Sequence, residues 1–273
     1  MMKNLFYLGL CFDLFAERNK KNDNKLIVGK DFTETVSDLS FDMVYVKGGT
    51  FRMGATEEQQ EEEADDEKPI HQVILSDYYI GRCEVTQGVW MAVMETSVGE
   101  QRDKENKEWP LAGVGDNYPM YYINWDEAQE FLTKLNQLTG KKYVLPTEAQ
   151  WEYAARGGAK SKGYKYSGSN EIDDVAWYWG NSEYSTHPVG TKAANELGIY
   201  DMSGNVWEWC SDWFGEYTDA TQTDPVGPVS GFGRVNCGGS WSNYARGCRV
   251  SKRSGDDPSY RGHLLGFRVA LLP

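Results

Sequence analysis

The chain has 273 residues, with 28 Lys and Arg against 41 Asp and Glu and a formal net charge of −13 at pH 7. This length allows one large domain or two ordinary ones with a sizeable core. The acidic balance argues against nucleic acids and anionic membranes, which attract basic proteins. With 10 Trp, 17 Tyr, 10 Phe and 29 Gly, the composition predicts an irregular, loop-rich α+β fold held together by aromatic side chains.

Residues 1–40 are predicted to be an N-terminal leader or tail. Residues 5–16 are apolar and follow Lys3, as in the hydrophobic part of a signal peptide, although Asp13 interrupts them. The stretch is too short to cross a bilayer, so no transmembrane segment is expected. Two interpretations stay open: an exported or surface-associated protein, and a protein without an export signal.

The folded domain is predicted to span residues 41–273. Residues 41–54 alternate between apolar and polar positions around a Gly-Gly turn, which predicts a β-hairpin, and residues 71–80 predict a further strand. The acidic run at residues 57–67 has no apolar face and predicts a solvated loop.

Three helices follow in the sequence. The first is expected to begin after Thr86, and the second after Asn124 or Asp126, with its end at Gly140. The third is expected to begin at Thr147, which has the spacing of a capping box.

Residues 197–214 combine three Trp, two Gly and three acidic residues. Asp201 and Glu208, with the backbone carbonyls around Gly204 and Val206, could supply oxygen ligands to a hard cation such as Ca²⁺. The alternative is that the two acids cap or pair with neighbours.

The five cysteines contain no CxxC pair, and the chain has three His, so a zinc site is not expected. A disulfide among the three late cysteines, Cys210, Cys237 and Cys248, is left open by the sequence.

Residues 234–273 begin and end with strand-like stretches. The two dozen residues between them are dominated by Ser, Gly, Asp, Asn, Tyr and Arg. Aromatic anchors mixed with small polar groups are typical of binding loops. The alternative is a long solvated loop.

Four motifs in order, LPTEAQWEYAARGG, GIYDMSGNVWEWCSDW, GGSW and the terminal GFR, resemble the formylglycine-generating enzyme (sulfatase-modifying factor) family. The resemblance covers nearly all of residues 41–272. It implies the family's variant of the C-type lectin fold, with mixed strands, few helices and much irregular backbone. It also implies a structural calcium ion, with ligands that fall on Asp201, Gly204, Val206 and Glu208.

The family's oxidases bind copper(I) between two cysteine thiolates and use O2 to convert a substrate cysteine to formylglycine. The resemblance places these thiolates three and eight positions after Ser240, where this chain has Asn243 and Cys248. Copper(I) favours thiolates over a neutral amide, so copper is not expected. If the protein were an oxidase, Cys248 would be its catalytic residue, and Cys237 would be the remaining candidate for a second ligand.

The C-terminal segment also resembles the variable proteins of diversity-generating retroelements, which end in a similar GGSW…GFR segment and bind ligands with it. Between Ser242 and Leu264 the chain contains one Lys and no Glu, Gln, Met or Trp. Diversification of these proteins replaces adenines, typically in Asn codons that end in a pyrimidine, so Lys, Glu, Gln, Met and Trp cannot arise at the diversified positions. The composition of this segment is close to that pattern.

The sequence therefore predicts a non-catalytic binding protein that contacts a protein or surface ligand through residues 241–264. The alternatives are a copper-dependent oxidase and a structural surface protein. The predicted contact residues are Trp241, Ser242, Asn243, Tyr244, Gly247, Ser254, Asp256, Asp257, Tyr260 and His263. Four arginines are predicted to brace the segment by pairing with carboxylates or carbonyls, namely Arg246, Arg249, Arg253 and Arg268.

Overall fold

A computed structural model describes residues 29–62 and 65–272. The strands are β1 (Phe32–Val36), β2 (Leu39–Val46), β3 (Gly49–Met53), β4 (His71–Leu75), β5 (Tyr78–Gly81), β6 (Tyr143–Val144), β7 (Trp207–Trp213), β8 (Gln222–Thr223), β9 (Arg234–Cys237), β10 (Arg253–Asp256), β11 (Leu265–Gly266) and β12 (Ala270–Leu271). The helices are α1 (Gln87–Met94), α2 (Val98–Asp103), α3 (Trp125–Thr139), α4 (Glu148–Ala155) and α5 (Ile172–Val175).

The strands form three sheets with the orders β1-β2-β5-β12-β6, β10-β9-β7-β11 and β3-β4-β8. β11 pairs with β7 and β8 with β4 in parallel, and the other described pairs are antiparallel. β12 inserts between β5 and β6. The end of the C-terminal segment is therefore held inside the first sheet.

The first sheet begins before the predicted domain boundary at residue 41. Phe32 pairs with Met43 and Val36 with Leu39. Residues 32–40 therefore belong to the domain. Their polar composition did not predict a strand, because β1 is an edge strand with exposed side chains. Residues 1–28, including the predicted apolar leader stretch, lie outside the described residues.

The hairpin predicted over residues 41–54 is wrong. β2 pairs with β1 and β5, whereas β3 pairs with β4 in another sheet. At Gly48, between the two strands, a Cβ would lie 2.2 Å from the carbonyl oxygen of Leu75. The chain therefore changes sheets at a close backbone contact that only glycine permits. The strand predicted at residues 71–80 is likewise two strands in two sheets.

The acidic run at residues 57–67 is not a solvated loop. It forms 3₁₀ turns at Glu57–Glu62 and Asp65–Glu67. Glu67 is fully buried and accepts two hydrogen bonds from Arg249, at 2.6 and 2.7 Å. Its partner is 182 residues away in sequence, so no local pattern could show it.

The three predicted helices begin as expected. Thr86 caps α1, while Asn124 and Thr147 form capping boxes at the starts of α3 and α4. Gly140 ends α3 in the left-handed conformation. The short helices α2 and α5 have too few turns to give a periodic signal and were not predicted.

The first sheet is buried on both faces. One hydrophobic cluster joins Met43 and Tyr79 of this sheet to α1 and α3, and a second joins Val44 and Tyr78 to α4. Trp209 of β7 is fully buried in the first cluster. Within the described part of the chain, no helix has the length and apolar character needed to cross a membrane.

Candidate functional site

The C-terminal segment leaves β9 through two glycines in the left-handed region, Gly238 (φ 97°) and Gly239 (φ 73°). A Cβ at Gly239 would lie 2.4 Å from the carbonyl oxygen of Gly247 and 2.9 Å from the sulfur of Cys248. Larger residues cannot occupy this position. The segment therefore folds back so that residues 243–248 pack on the glycine pair.

Asn243 holds this turn together with its side chain. Its Oδ1 accepts hydrogen bonds from Ser240 N at 2.9 Å, Ser240 Oγ at 2.6 Å and Trp207 Nε1 at 2.9 Å. Its backbone carbonyl accepts from the amide of Trp179 at 2.9 Å. Asn243 therefore supports the surface, and its amide oxygen is not free to meet a ligand.

Cys248 lies beneath this turn and is fully buried next to Tyr166 and Val175. Its sulfur is 3.9 Å from the carbonyl oxygens of both Ser240 and Tyr244. Loss of water around the thiol raises the pKa of Cys248 to about 12. The free thiol of Cys248 is therefore protonated at neutral pH and is shielded from solvent.

Cys237 does not pair with Cys248. It lies in a different hydrophobic cluster, together with Cys210. Burial is the main cause that raises the pKa of both Cys237 and Cys210. All three late cysteines are free thiols, so the disulfide left open by the sequence is not formed.

The ten predicted contact residues divide by exposure. The exposed ones are Ser242, Tyr244, Asp257 and Tyr260, and the half-buried ones are Asn243, Gly247, Ser254, Asp256 and His263. Trp241 is only 7% exposed, and its Nε1 donates to the carbonyl oxygen of His263 at 3.2 Å. Asp256 accepts a hydrogen bond from Asn236 at 2.8 Å. We call the four exposed residues the contact surface.

Aromatic side chains that the sequence did not assign flank the contact surface. Trp179 is 48% exposed and lies 5.0 Å from the ring of Tyr244. Trp109 stacks on Tyr122 at 6.1 Å, and Tyr122 lies 6.0 Å from the ring of His263. We call Trp109, Trp179 and the predicted contact residue His263 the aromatic rim, in which the fully buried Tyr122 connects Trp109 to His263. The aromatic-rich sequence at residues 177–179 was a signal, but nothing local places these rings beside residue 244.

Buried arginine pairs lie beneath the surface. Three of the four predicted bracing arginines pair with buried carboxylates, as Arg249–Glu67, Arg253–Glu148 and Arg268–Glu208. All six side chains are 8% exposed or less. The bracing prediction is confirmed for these three, whereas Arg246 is exposed.

The predicted calcium loop contains an unsatisfied carboxylate oxygen. Asp201 is buried, its Oδ2 accepts from Gly190 N at 2.7 Å, and its Oδ1 has no hydrogen-bond partner. Glu208 differs, because both of its oxygens accept from Arg268 at 2.6 Å and one also accepts from Trp151 at 2.7 Å.

Negative charge is in excess around this loop. Burial is the main cause that raises the pKa of Asp201 to about 6, and the nearby Glu208 adds to it. Burial and then Asp201 and Glu208 raise the pKa of Glu84 well above its ordinary value. Three buried carboxyl groups thus share Arg268. Within residues 29–62 and 65–272 no three His, Cys, Asp or Glu side chains converge as metal ligands, so a calcium site would depend on backbone carbonyls.

Comparison with known proteins places the chain in a family. A model of the sulfatase-modifying factor enzyme 1-like domain matches residues 11–272. The chain belongs to the sulfatase-modifying factor family. It is 30% identical to the formylglycine-generating enzyme of Thermomonospora curvata, over 86% of this chain and 95% of that protein. It is 35% identical to a Paenibacillus barcinonensis protein named chaperone protein LppX, over 86% of this chain and 90% of that protein.

Among solved structures, Treponema denticola variable protein 1 matches with a TM-score of 0.77 at 32% identity, over 89% of this chain and 99% of that one. The predicted fold and both predicted resemblances are confirmed. The sulfatase-modifying factor fold thus occurs in an enzyme and in a variable protein, so membership does not by itself choose between catalysis and binding.

Proposed function

We propose that this member of the sulfatase-modifying factor family is a non-catalytic ligand-binding protein. Its contact surface, flanked by the aromatic rim, would meet a protein or surface ligand. One observation carries the proposal: at the position where the resemblance expects a thiolate, Asn243 has an amide oxygen that accepts three hydrogen bonds.

The arrangement around Asn243 is unsuited to copper. Copper(I) would need two thiolates, whereas the two positions hold one neutral amide, at Asn243, and one buried thiol, at Cys248. Cys237 lies beside Cys210 in a hydrophobic cluster other than that of Cys248, so Cys237 does not replace the missing ligand.

The arrangement is well suited to binding. Aromatic side chains supply contact area at a small cost in conformational entropy, and Ser and Asp supply adaptable hydrogen bonds. The buried arginine pairs keep the backbone beneath the contact surface in place, which lowers the cost of ordering it on binding. The structural likeness to a variable protein supports the same function.

A copper experiment separates this proposal from the oxidase. The purified protein is titrated with copper(I) against a competing chelator and incubated with a CxPxR peptide, using the Thermomonospora curvata enzyme as the positive reference. We expect neither stoichiometric copper(I) nor formylglycine. Tight copper binding that Cys248→Ser abolishes would overturn the proposal.

A display experiment tests binding itself. Ser242, Tyr244, Asp257 and Tyr260 are randomised together, and the library is selected against lysozyme as a defined protein probe. The matched library randomises four exposed positions elsewhere, namely Asp38, Thr133, Gln137 and Lys142. We expect binders from the first library in clear excess, and equal yields would argue for a purely structural protein.

We also propose a structural calcium ion at residues 201–208. The unpartnered Oδ1 of Asp201 and the excess of buried carboxyl groups support it. Asp201 and Glu208 would hold the ion with the carbonyl oxygens of Gly204 and Val206. Calcium would supply charge neutralisation and cross-link the loop. Against a tight site, Glu208 already has a cationic partner in Arg268.

A further inference from the structure

A cavity of about 380 Å³ lies between α4, the end of β7 and residues 215–228. Its volume is in the range of small-molecule sites. None of the ten predicted contact residues lines it, and Arg253 is its one lining residue from 241–264. The cavity is therefore separate from the contact surface and from the calcium loop.

Asp212 is a buried acid in the lining of this cavity, and one of its two oxygens has no protein donor among the described residues. It is only 3% exposed, and its Oδ2 accepts from Glu148 N at 3.1 Å and Ser211 Oγ at 2.8 Å. Its Oδ1 has no hydrogen-bond partner among the described residues. This oxygen is not among the fully buried unpartnered atoms of the described residues, so it is accessible from the cavity, and a ligand that donates can bond to it.

The guanidinium of Arg253, the cation that acts on Asp212, is already paired with another carboxylate. Arg253 donates to both oxygens of Glu148, at 2.5 and 2.9 Å, and Tyr217 OH also donates to Glu148, at 2.8 Å. Glu148 is therefore satisfied, and Asp212 is left as a buried acid with no cation bonded to it. Burial and then the charge of Glu148 raise the pKa of Asp212 to about 7, as expected for a carboxyl group without a cationic partner. His71 and Glu216 are the other titratable groups that line the cavity beside Tyr217.

The number of open acceptors indicates which kind of cation fits. Calcium takes six to eight oxygen ligands, whereas among the described residues the cavity offers three carboxylate oxygens without a protein donor, Oδ1 of Asp212 and the two oxygens of the exposed Glu216. A guanidinium prefers both oxygens of a carboxylate, but Oδ2 of Asp212 is already occupied. An ammonium is a compact charge with three donors, and it can use Oδ1 together with the side chains of Thr218 and Gln222 in the same cavity.

We propose that this cavity binds a primary alkylammonium group, with the cation on Oδ1 of Asp212. The alkyl stem would pack on the apolar part of the wall, which includes Met53, Trp213 and Val226. Free amines and lysine side chains share this chemistry. The site is independent of the proposed contact surface, because no residue of that surface takes part.

The test is an NMR titration of the full chain above neutral pH, with three probes. These are n-butylamine, the neutral analogue n-butanol, and Nα-acetyl-lysine methylamide, which presents the same head group on a peptide. We expect saturable shifts in residues 212–228 with butylamine and about tenfold weaker binding of butanol, because one charge-assisted hydrogen bond is lost. Binding of the lysine probe as well would identify peptides as a source, whereas binding of butylamine alone would restrict the cavity to free amines.

Asp212→Asn sharpens the test because the amide keeps an acceptor for Glu148 N and removes the charge. We expect this variant to lose about tenfold in butylamine affinity. Asp38→Asn removes the same net charge from an exposed turn and should leave the affinity unchanged. Equal affinity of Asp212→Asn and the parent, or equal binding of butanol and butylamine, would overturn the proposal. If Asp212→Asn does not fold, the difference in affinity between butylamine and butanol in the parent protein still tests the proposal.

Discussion

The contact surface and the buried arginines come from the same 28 residues, 241–268, yet they differ in exposure and in their partners. Ser242, Tyr244, Asp257 and Tyr260 are exposed. Arg249, Arg253 and Arg268 are 3% exposed or less, and each is paired with a carboxylate. The arginines fix the backbone of the segment through distant partners, whereas the side chain of Asp257 in the exposed part is bonded, among the described residues, only to the neighbouring Ser259.

This division predicts that the long irregular loop keeps a fixed backbone and yet tolerates substitution of its exposed side chains. A buried ion pair resists the loss of one partner, because the remaining charge has no water around it. An exposed side chain without a specific partner can be exchanged at little cost. Five experiments can break or sharpen the division.

The largest effect is expected from Arg268→Met. It leaves Glu208 buried opposite no cation, which typically costs about 3–5 kcal/mol in the free energy of unfolding. Arg246→Met is the matched control at an exposed arginine and should change stability by less than about 0.5 kcal/mol. Urea denaturation measures both, and similar stabilities of the two variants would contradict the comparison.

Calcium is the next largest expected effect. At a concentration of about 100 times its dissociation constant, an ion that binds only the folded chain adds about 2.7 kcal/mol. We therefore expect Ca²⁺ to raise the melting temperature of a chelator-stripped sample, and Asp201→Asn to weaken the rise. An unchanged melting temperature of the parent protein would show that the loop does not bind calcium.

Calcium binding should also depend on pH. The pKa of Asp201 is raised to about 6, so the ion must displace a proton below that value. Apparent calcium affinity should therefore rise as pH increases through about 6 and then level off. The same rise in Asp201→Asn would assign the dependence to another group.

Asn243→Ala is expected to have an intermediate effect. It removes the acceptor of three hydrogen bonds and leaves the Trp207 indole and the Ser240 amide unpaired, at a cost of about 1–3 kcal/mol. Ser242→Ala, one residue away and exposed, is the control and should be nearly neutral. A neutral Asn243→Ala would mean that Asn243 does not support the fold and belongs with the exposed residues of the contact surface.

The smallest effect is expected from the contact surface. Changing Ser242, Tyr244, Asp257 and Tyr260 together to Ala should cost at most about 0.5 kcal/mol per position. Thermal and chemical unfolding should therefore stay close to the parent. Loss of the folded state would show that these residues support the fold and would remove the division between the two parts.

The sequence by itself determined the helix starts and the family. Thr86, Asn124 and Thr147 cap their helices through hydrogen bonds to amides three residues on, so each signal is complete within one short window. The ordered motifs likewise predicted the fold, which the family match confirms. The exchange of a thiolate for Asn243 was also visible from counting positions.

Only the tertiary structure decided which buried pairs support the contact surface and which aromatic side chains flank it. The buried pairs join residues that are 60, 105 and 182 positions apart. The aromatic rim brings Trp109 and Trp179 beside residues 244–263. Sequence separation explains why neither the carboxylate partners nor the flanking aromatic side chains were predicted. Glu67, for example, lies in an acidic run that is typical of a solvated loop, and its partner Arg249 is distant in sequence. Its burial is favourable only once that partner is present, and no local pattern contains the partner.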